Sequence, residues 1–316
     1  MSTNHSKQWK PNITINNIKL KSFYLKNIRN FFYERELIEV DTPLLYQFAV
    51  SDPFLENFSV STHSGERFLQ TSPEYAMKRL LAIGIGSIFQ ICKATRNEQC
   101  GNRHSFEFLM LEWYRVGYTY KELMTEVEHL FRLFRPGLKA TYYSYLDIFQ
   151  KYVGINPHDI EIHKLISKCT ELFGHVAGNN LKKDDYLNLL MTHVIEPQLI
   201  NSNLVFVYDY PMSQSALAKT SKIGDYTVAQ RFEAYYNGIE IANGYDELTD
   251  HIIQKERFQN DIQTRVENNI PTVDIDYKLI NALEQGGIPQ CSGVAIGIER
   301  FIMAIENIDD INTLLF

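Results

Sequence analysis

Near the beginning of the chain, hydrophobic residues recur at the spacing of one helix face: Ile18, Leu25, Ile28, Phe31 and Phe32. The pattern stops shortly before Pro43, and a proline biases the residue ahead of it toward an extended backbone. We therefore predict a helix that ends before residue 40 and runs into a strand.

Residues 68–71 predict a short strand, and the three residues after them have the features of a helix start. Ser72 offers a hydroxyl at the cap, Pro73 suits the first helical position, and Glu74 places a carboxylate at the positive end of the helix dipole. The predicted helix ends near Gly84. Helix capping alone would explain both Ser72 and Glu74.

Paired β-prone segments dominate much of the remaining chain. Residues 88–92 and 106–116 predict a long hairpin, and Asn237-Gly238 is a strong turn signal between residues 231–236 and 239–242. Further predicted strands cover 204–208 and 292–297, and further predicted helices cover 120–134, 249–268, 276–285 and 299–305. Because hairpins outnumber helical crossovers, we predict an α+β fold with a mainly antiparallel sheet flanked by helices.

The composition is that of a globular protein, with 45% hydrophobic and 22% charged residues among 316, which excludes disordered and collagen-like chains. This length fits one large domain or two modest ones. Residues from about 137 to 200 mix helical patterns with Gly-Asn breakers, and we interpret them as a peripheral, mainly helical segment. The net charge of -7 gives no overall attraction to nucleic acid or anionic lipid.

The four cysteines, Cys92, Cys100, Cys169 and Cys291, form no C-x-x-C pair, so neither a zinc site nor a disulfide framework is predicted. The N-terminus is polar, and glycines interrupt the longest apolar run. We therefore expect a cytoplasmic protein without a membrane-spanning segment.

Arg96 and Glu98 follow the first strand of the long predicted hairpin, where both side chains can face one pocket. The planar fork of an arginine suits a phosphate, because it makes two charge-assisted hydrogen bonds at once. An exposed ion pair in a loop is the alternative explanation.

Glu233 and Glu240 lie on the two strands of the predicted Asn237-Gly238 hairpin. We expect their carboxylates to be close enough across the ladder to share a hard cation such as Mg²⁺. Two solvated glutamates on an exposed face are the alternative. Glu247 is a further candidate carboxylate, although by itself it is no better than a surface charge.

Gly297 and Arg300 lie at a predicted junction between a strand and a helix, which would suit the close approach of a nucleotide and its phosphates. A glycine needed for packing and a surface arginine are the alternative. The chain has no G-x-x-x-x-G-K-[ST] loop and no G-x-G-x-x-G fingerprint, and His104 has no triad partner at a recognisable spacing.

Three segments together resemble the motifs of class II aminoacyl-tRNA synthetases, specifically the catalytic domain of the lysyl branch, over nearly the full chain. They are residues 31–45, which include Pro43, residues 89–115, which include Arg96-Asn97-Glu98 and Leu111-Glu112-Trp113-Tyr114-Arg115, and residues 293–301, which include Gly297, Glu299 and Arg300. Within that branch, residues 69–75, 238–244 and 289–295 are most similar to the stand-alone elongation factor P (R)-β-lysine ligases. The resemblance implies a class II synthetase catalytic core in a single domain spanning residues 1–316.

This resemblance implies that ATP, with Mg²⁺, and the amino acid form an aminoacyl-adenylate, after which a lysine ε-amine of elongation factor P takes the acyl group. It assigns ATP binding to Arg96, Asn97, Glu98, Ser105, Glu240, Ile241, Gly297 and Arg300, and Mg²⁺ binding to Glu233 and Glu240. The catalytic residues would be Arg96 at the α-phosphate and Arg300 at the γ-phosphate or the adenine face. Because Ser105 replaces an asparagine usual in these ligases, we expect ATP binding that is retained but weaker.

For the amino acid, the resemblance implies that Ser72, Pro73 and Glu74 receive the backbone-side ammonium, and that Glu247 with Tyr114 holds the distal ε-ammonium. Ala295 stands where lysyl-tRNA synthetases usually have glycine and the ligases have alanine. Its methyl group is therefore expected to shape the pocket for the shifted amino group of β-lysine.

Fewer than 20 residues precede the first motif helix, so no anticodon-binding domain is expected there, and a tRNA recognised through its anticodon is not the expected acceptor. The resemblance also implies a homodimer, because the first motif forms the dimer interface in the family. Three alternatives stay open: a truncated lysyl-tRNA synthetase-like enzyme acting on RNA or another acceptor with α-lysine, a non-catalytic paralogue, and an asparagine synthetase of the same fold.

Overall fold

A computed structural model describes residues 9–174, 181–200 and 203–316. Its α-helices are α1 (Ile15–Tyr33), α2 (Glu74–Ala82), α3 (Tyr120–Phe134), α4 (Tyr145–Tyr152), α5 (Ile162–Phe173), α6 (Lys183–Leu190), α7 (His251–Glu267), α8 (Tyr277–Gln285) and α9 (Ile298–Glu306). Its strands are β1 (Ile38–Glu39), β2 (Leu45–Tyr46), β3 (Ser59–Thr62), β4 (Gly65–Leu69), β5 (Ile88–Thr95), β6 (Glu107–Val116), β7 (Ala140–Ser144), β8 (Leu204–Pro211), β9 (Thr220–Ile223), β10 (Tyr226–Tyr236), β11 (Ile239–Asp246) and β12 (Cys291–Gly297). Over the described ranges, no helix combines the length and apolar character needed to cross a bilayer.

The contacts within the chain divide it into two compact units. Unit 1 comprises the described residues up to Trp113 together with Lys255–Gly286 and Gly297–Phe316. Unit 2 comprises the described residues of Tyr114–Gln254 together with Gly287–Ile296. All four cysteines are free, as the sequence predicted.

Unit 1 is built on the predicted long hairpin, β5 and β6, with the short strand β1 parallel to β5. The predicted apolar face of α1 packs on this sheet: the ring of Phe32 stacks on Phe89 at 4.8 Å and contacts Trp113 at 5.0 Å between centroids. All three rings are fully buried. A second, small antiparallel sheet of β2, β4 and β3 contains the predicted strand near residue 68.

Unit 2 contains strands in the order β12, β11, β10, β8 and β7, with β9 also pairing with β10. These strand pairs are antiparallel, except that β7 runs parallel to β8. The predicted tight turn is present, because Asn237 and Gly238 take positive φ angles of 50° and 75°. The mainly antiparallel, helix-flanked α+β fold is therefore confirmed.

The segment around residues 137–200 contains α4, α5 and α6 together with β7, a strand that the sequence pattern did not predict. Its buried side chains share one core with the neighbouring strands: Ile148 and Phe149 of α4, Leu165 of α5 and Leu187 of α6 belong to the same cluster as Val207 of β8. This segment is thus anchored in the hydrophobic core of unit 2.

In unit 1, α7 carries a partly buried carboxyl group at Asp261. The hydroxyl of Ser51 donates a hydrogen bond to its Oδ2 at 2.7 Å. Burial raises the pKa of Asp261 to about 6, and the charge of Asp52 adds to this, whereas the Ser51 hydrogen bond and the cations Arg265 and Arg257 lower it. The folded chain therefore holds this proton to a higher pH than the unfolded chain does.

We predict that Asp261→Asn removes a pH-dependent part of the stability. A carboxyl with a raised pKa contributes stability that is fully present below its unfolded pKa, near 3.8, and lost as the pH rises through about 6. Relative to the variant, the wild type should lose free energy of unfolding between pH 4.5 and 7, measured by urea unfolding. Asp274→Asn, at an exposed carboxyl, is the control. A difference between wild type and Asp261→Asn that stays constant over this range would contradict the prediction.

Candidate active site

Ser72 and Glu74 lie at the start of α2 in unit 1. The helix begins at Glu74 with Pro73 as its N-cap, so the predicted cap at Ser72 and first helical position at Pro73 are each one residue too early. The reason is that Pro73 has a ψ of 0°, outside the helical region. Ser72 Oγ still accepts the Glu74 N–H at 3.1 Å, and its hydroxyl donates to Glu112 Oε2 at 2.6 Å.

Two further ionisable residues accompany this helix start. Lys78 Nζ, on the next turn of α2, donates to Glu74 Oε1 at 2.7 Å, and Lys78 is only 1% exposed. Glu112, on β6, is 2% exposed. Two carboxylates and one ammonium thus lie next to Ser72 at this helix start. Glu112 was missed as a site residue; its signal was a charged residue between the apolar residues Leu111 and Trp113.

The Arg96-Asn97-Glu98 stretch continues from the end of β5, as predicted. The Arg96 N–H donates to the Phe106 carbonyl at 3.0 Å, which ties the two sides of the hairpin together. The guanidinium of Arg96 lies 5.4 Å from the ring centroid of Phe108. The stretch is thus held at the point where the hairpin opens, while Asn97 and Glu98 themselves are exposed.

Several charged residues of unit 1 affect the pKa of His104. Burial lowers the pKa of His104, and the positive charges of Arg300, Arg96 and Arg103 lower it further, whereas Glu98 opposes them. The charges of Arg96, Glu98 and Arg300, three of the predicted ATP contacts, therefore all act on His104. A concentration of guanidinium groups of this kind is suited to an anion such as a polyphosphate. Ser105, next to His104, is half-buried.

Gly297 ends β12 and caps α9, whose first turn contains Arg300. A Cβ atom placed on Gly297 would come within 3.7 Å of Arg300 Nε, which is an ordinary contact distance. Packing within the chain therefore does not require a glycine here. Glu299 has a structural role, because its carboxylate accepts the Leu109 N–H at 2.9 Å and pairs with Lys21 at 2.5 Å.

In unit 2, Tyr114 and Glu247 converge on the backbone of Gly293. A Cβ atom on Gly293 would lie 2.3 Å from Tyr114 Cε1 and 2.5 Å from Glu247 Oε1. Glu247 is 1% exposed and Tyr114 is 2% exposed, so a buried carboxylate and a buried ring meet at this glycine. Ala295 and Gly293 lie on the same face of β12, because alternate residues of a strand share a face. The structure thus brings together three residues that the sequence assigned to the amino acid pocket.

Glu233 and Glu240 are on the two strands of the predicted hairpin, but they are not directly opposite each other. Glu233 is opposite Asn243, and Glu240 is opposite Tyr235. Because Tyr235 and Glu233 are two residues apart on β10, the two glutamates are diagonal neighbours on one face of the hairpin. The expectation that they share a Mg²⁺ ion stays a prediction. Among the described residues, no group of three His, Cys, Asp or Glu side chains is arranged to hold a metal ion.

Glu233 also has close protein partners at both of its oxygens. Arg231 Nη2 donates to Oε1 at 2.5 Å, and the hydroxyls of Tyr210 and Tyr235 donate to Oε2 at 2.6 and 2.5 Å. Three donors leave part of the acceptor capacity of this carboxylate open, so a cation at Glu233 would share it with them.

Ile241 is the extra residue at the register shift. Ala234 pairs with Ala242 and Tyr235 pairs with Glu240, so Ile241 has no pairing partner on β10. This is a β-bulge, a feature that is common next to active sites. Because its side chain is 2% exposed, an ATP contact by Ile241 falls to its main chain.

Comparison with known proteins agrees with this fold. A family model described as tRNA synthetases class II (D, K and N) matches residues 5–316, and the chain belongs to this family. A protein of Histophilus somni (strain 2336) is 42% identical over 316 residues, covering 97% of each chain. Proteins of Mannheimia succiniciproducens and Haemophilus influenzae (strain KW20 / Rd) are 40% and 42% identical over 313 residues, covering 97% of this chain and 96% of theirs. All three are named elongation factor P (R)-β-lysine ligase.

We predict that Gly293→Ala weakens amino acid binding selectively. The new methyl group would displace Tyr114 and Glu247, and such overpacking typically costs about 1–3 kcal/mol. The KM for lysine in lysine-dependent exchange of pyrophosphate into ATP should rise roughly tenfold or more, while the KM for ATP stays within about twofold.

The matched control is Gly244→Ala, where a Cβ atom would lie 2.5 Å from the ring of Phe232. Both variants overfill unit 2. A Cβ atom at Gly244 would meet Phe232 and the Gly293 carbonyl oxygen, whereas a Cβ atom at Gly293 would meet the predicted pocket residues Tyr114 and Glu247. An equal rise in the KM for lysine in both variants would assign the effect to general destabilisation.

Proposed function

We propose that this chain is an ATP-dependent, AMP-forming ligase that activates (R)-β-lysine and transfers it to a lysine ε-amine of elongation factor P. The names of its relatives support the acceptor and the amino acid. The observation that carries the proposal is the buried carboxylate of Glu247 beside Tyr114 and Gly293, because a carboxylate held in such a place is suited to an ammonium group. The carboxylates of Glu74 and Glu112, which lie beside Ser72, supply a second place for an ammonium.

The proposed reaction has two displacements. A carboxylate oxygen of β-lysine attacks the α-phosphorus of ATP, the bond from that phosphorus to the bridging oxygen breaks, and pyrophosphate leaves with the electron pair. The acceptor ε-amine, in its neutral form, then attacks the acyl carbon, AMP leaves, and the amine loses a proton as the amide forms. No side chain of this chain needs to act as a nucleophile.

Arg96 is proposed to stabilise the charge that develops on the α-phosphate, with Arg300 at the γ-phosphate or the adenine face. Their joint effect on the pKa of His104 supports this assignment, since it shows that their positive charges act on one region. Asn97, Glu98, Ser105, Gly297 and the main chain of Ile241 complete the proposed ATP contacts. Removing one preorganised donor of this kind typically costs about 10²–10³ in rate.

ATP-dependent enzymes of this class usually use Mg²⁺, which would supply positive charge to the phosphates when bound. Glu233 and Glu240 are the proposed residues for holding it, and Arg231, Tyr210 and Tyr235 also contact the carboxylate of Glu233. We assign no step to the ion. We also propose a cytoplasmic location, which the names of the relatives support as they support the acceptor.

The deciding experiment is the intact mass of purified elongation factor P after incubation with this chain, ATP, Mg²⁺ and (R)-β-lysine, beside a parallel reaction with α-lysine. We predict a gain of one lysyl group, and a faster gain with the β-isomer. Arg96→Ala should slow both reactions by about 10²-fold. Ala295→Gly should reduce the preference for the β-isomer, since a methyl-sized change in a pocket is worth about 1–3 kcal/mol.

No mass gain in spite of lysine-dependent pyrophosphate exchange would leave the activation step intact and overturn the assigned acceptor. An unchanged isomer preference in Ala295→Gly would overturn the role given to the Ala295 methyl group. The non-catalytic alternative requires that neither reaction occurs.

We also propose a homodimer that uses the segment around residues 31–45. Several large apolar side chains are exposed there on the single chain, among them Tyr33 (51%), Ile38 (48%), Leu44 (45%) and Leu45 (42%). Covering such a surface is favourable, and exposed apolar clusters of this kind mark interfaces.

Light scattering should accordingly give twice the mass of the chain. Leu44→Glu should shift the molecule toward the monomer, because a charge would be buried at the interface. Leu133→Glu is the matched control, since Leu133 on α3 is 44% exposed and lies outside this segment. A monomeric wild type, or equal dissociation of both variants, would contradict the proposal.

A further inference from the structure

Arg265, on α7, is a buried cation that holds a loop through its main chain. It is 4% exposed, and its guanidinium donates to the carbonyl oxygens of Ser51 at 2.8 Å, Asp52 at 2.7 Å, Leu55 at 3.1 Å and Val50 at 3.2 Å. Four carbonyl groups of residues 50–55 thus point at one side chain. Without that donor, these carbonyls would be left without their shared partner.

The same face of α7 makes two further contacts in unit 1. Phe258, Asp261 and Arg265 are spaced i, i+3 and i+7, so they lie on one side of the helix. The ring of Phe258 lies 5.6 Å from that of Tyr75, the residue after Glu74, and Asp261 accepts the Ser51 hydroxyl. This face of α7 therefore reaches both the loop and the start of α2.

The loop of residues 50–57 is closed and fastened to the proposed ATP-binding stretch. The Val50 N–H donates to Asn57 Oδ1 at 3.0 Å, which joins its two ends, and Asn57 Nδ2 donates to the Leu69 carbonyl at 2.9 Å. The Glu56 carbonyl accepts the Asn97 N–H at 3.0 Å. Asn97 lies between Arg96 and Glu98, so a shift of this loop moves the backbone that carries both side chains.

We propose that Arg265 is a positioning residue for ATP: it fixes the loop of residues 50–57, and that loop fixes Arg96, Asn97 and Glu98 through the hydrogen bond between Glu56 and Asn97. Arg265 itself touches none of the proposed ATP contacts. The proposal rests on the proposed function, because it assigns ATP to the Arg96-Asn97-Glu98 stretch. Small displacements of positioned groups can reduce rates by up to about 10²-fold, so a side chain that acts only through a loop can have a large effect.

The test uses the full chain with Arg265→Lys, which keeps the charge but replaces a five-donor fork with three donors on one nitrogen. Asn57→Ala removes the hydrogen bond between Val50 and Asn57 that joins the two ends of the same loop. In lysine-dependent pyrophosphate exchange, we expect both variants to raise the KM for ATP and lower kcat together by about tenfold, with the KM for lysine changed much less. Hydrogen exchange should become faster at residues 50–57 and also at the Asn97 amide.

Ile28→Ala is the control for general destabilisation, since Ile28 is buried in α1 and makes none of these contacts. An equal rise in the KM for ATP in Ile28→Ala, or an unchanged KM in Arg265→Lys with a loosened loop, would overturn the proposal. If the wild type shows no pyrophosphate exchange, the proposed function fails, and hydrogen exchange still decides the inference. Faster exchange at Asn97 in Arg265→Lys would support coupling, and unchanged exchange there would overturn it.

Discussion

Burying charge is expensive, and the way this chain compensates its buried ions determines the shape of its candidate site. Lys78 is held by the carboxylate of Glu74, Arg231 by that of Glu233, and Arg265 by a ring of main-chain carbonyls. Each partner belongs to, or is bonded to, a segment with a proposed role. The contacts that compensate these buried charges therefore also hold the proposed functional groups in position.

The pair of Arg231 and Glu233 shows how this constraint changes the interpretation of a sequence. Two glutamates on a tight hairpin predict a shared cation, because like charges close together need one. In the folded chain, a β-bulge at Ile241 changes the register, and an arginine two residues from Glu233 pairs with its carboxylate. The cation that the two glutamates would share stays a prediction.

Glycines mark the places where main chain and functional side chains approach most closely, and they do so for different reasons. At Gly293, any side chain would collide with Tyr114 and Glu247, so the glycine is required by the chain itself. At Gly297, a side chain would meet only Arg300 at an ordinary distance. The sequence singled out Gly297 from its motif, whereas the packing identifies Gly293 as the position with the stricter requirement.

Local patterns were sufficient for most of the fold. The span of α3, the Asn237-Gly238 turn and the β5–β6 hairpin follow from periodicity and turn chemistry within a few residues, and the family follows from three motifs in order. The tertiary structure alone decided the bond of Ser72 to Glu112, the β-bulge at Ile241, and the hold of Arg265 on the loop of residues 50–57. The physical reason is sequence separation: Ser72 is 40 residues from Glu112, and Arg265 is 214 from Ser51. No short pattern can record a contact of that kind, because it exists only once the hydrophobic core has brought the elements together.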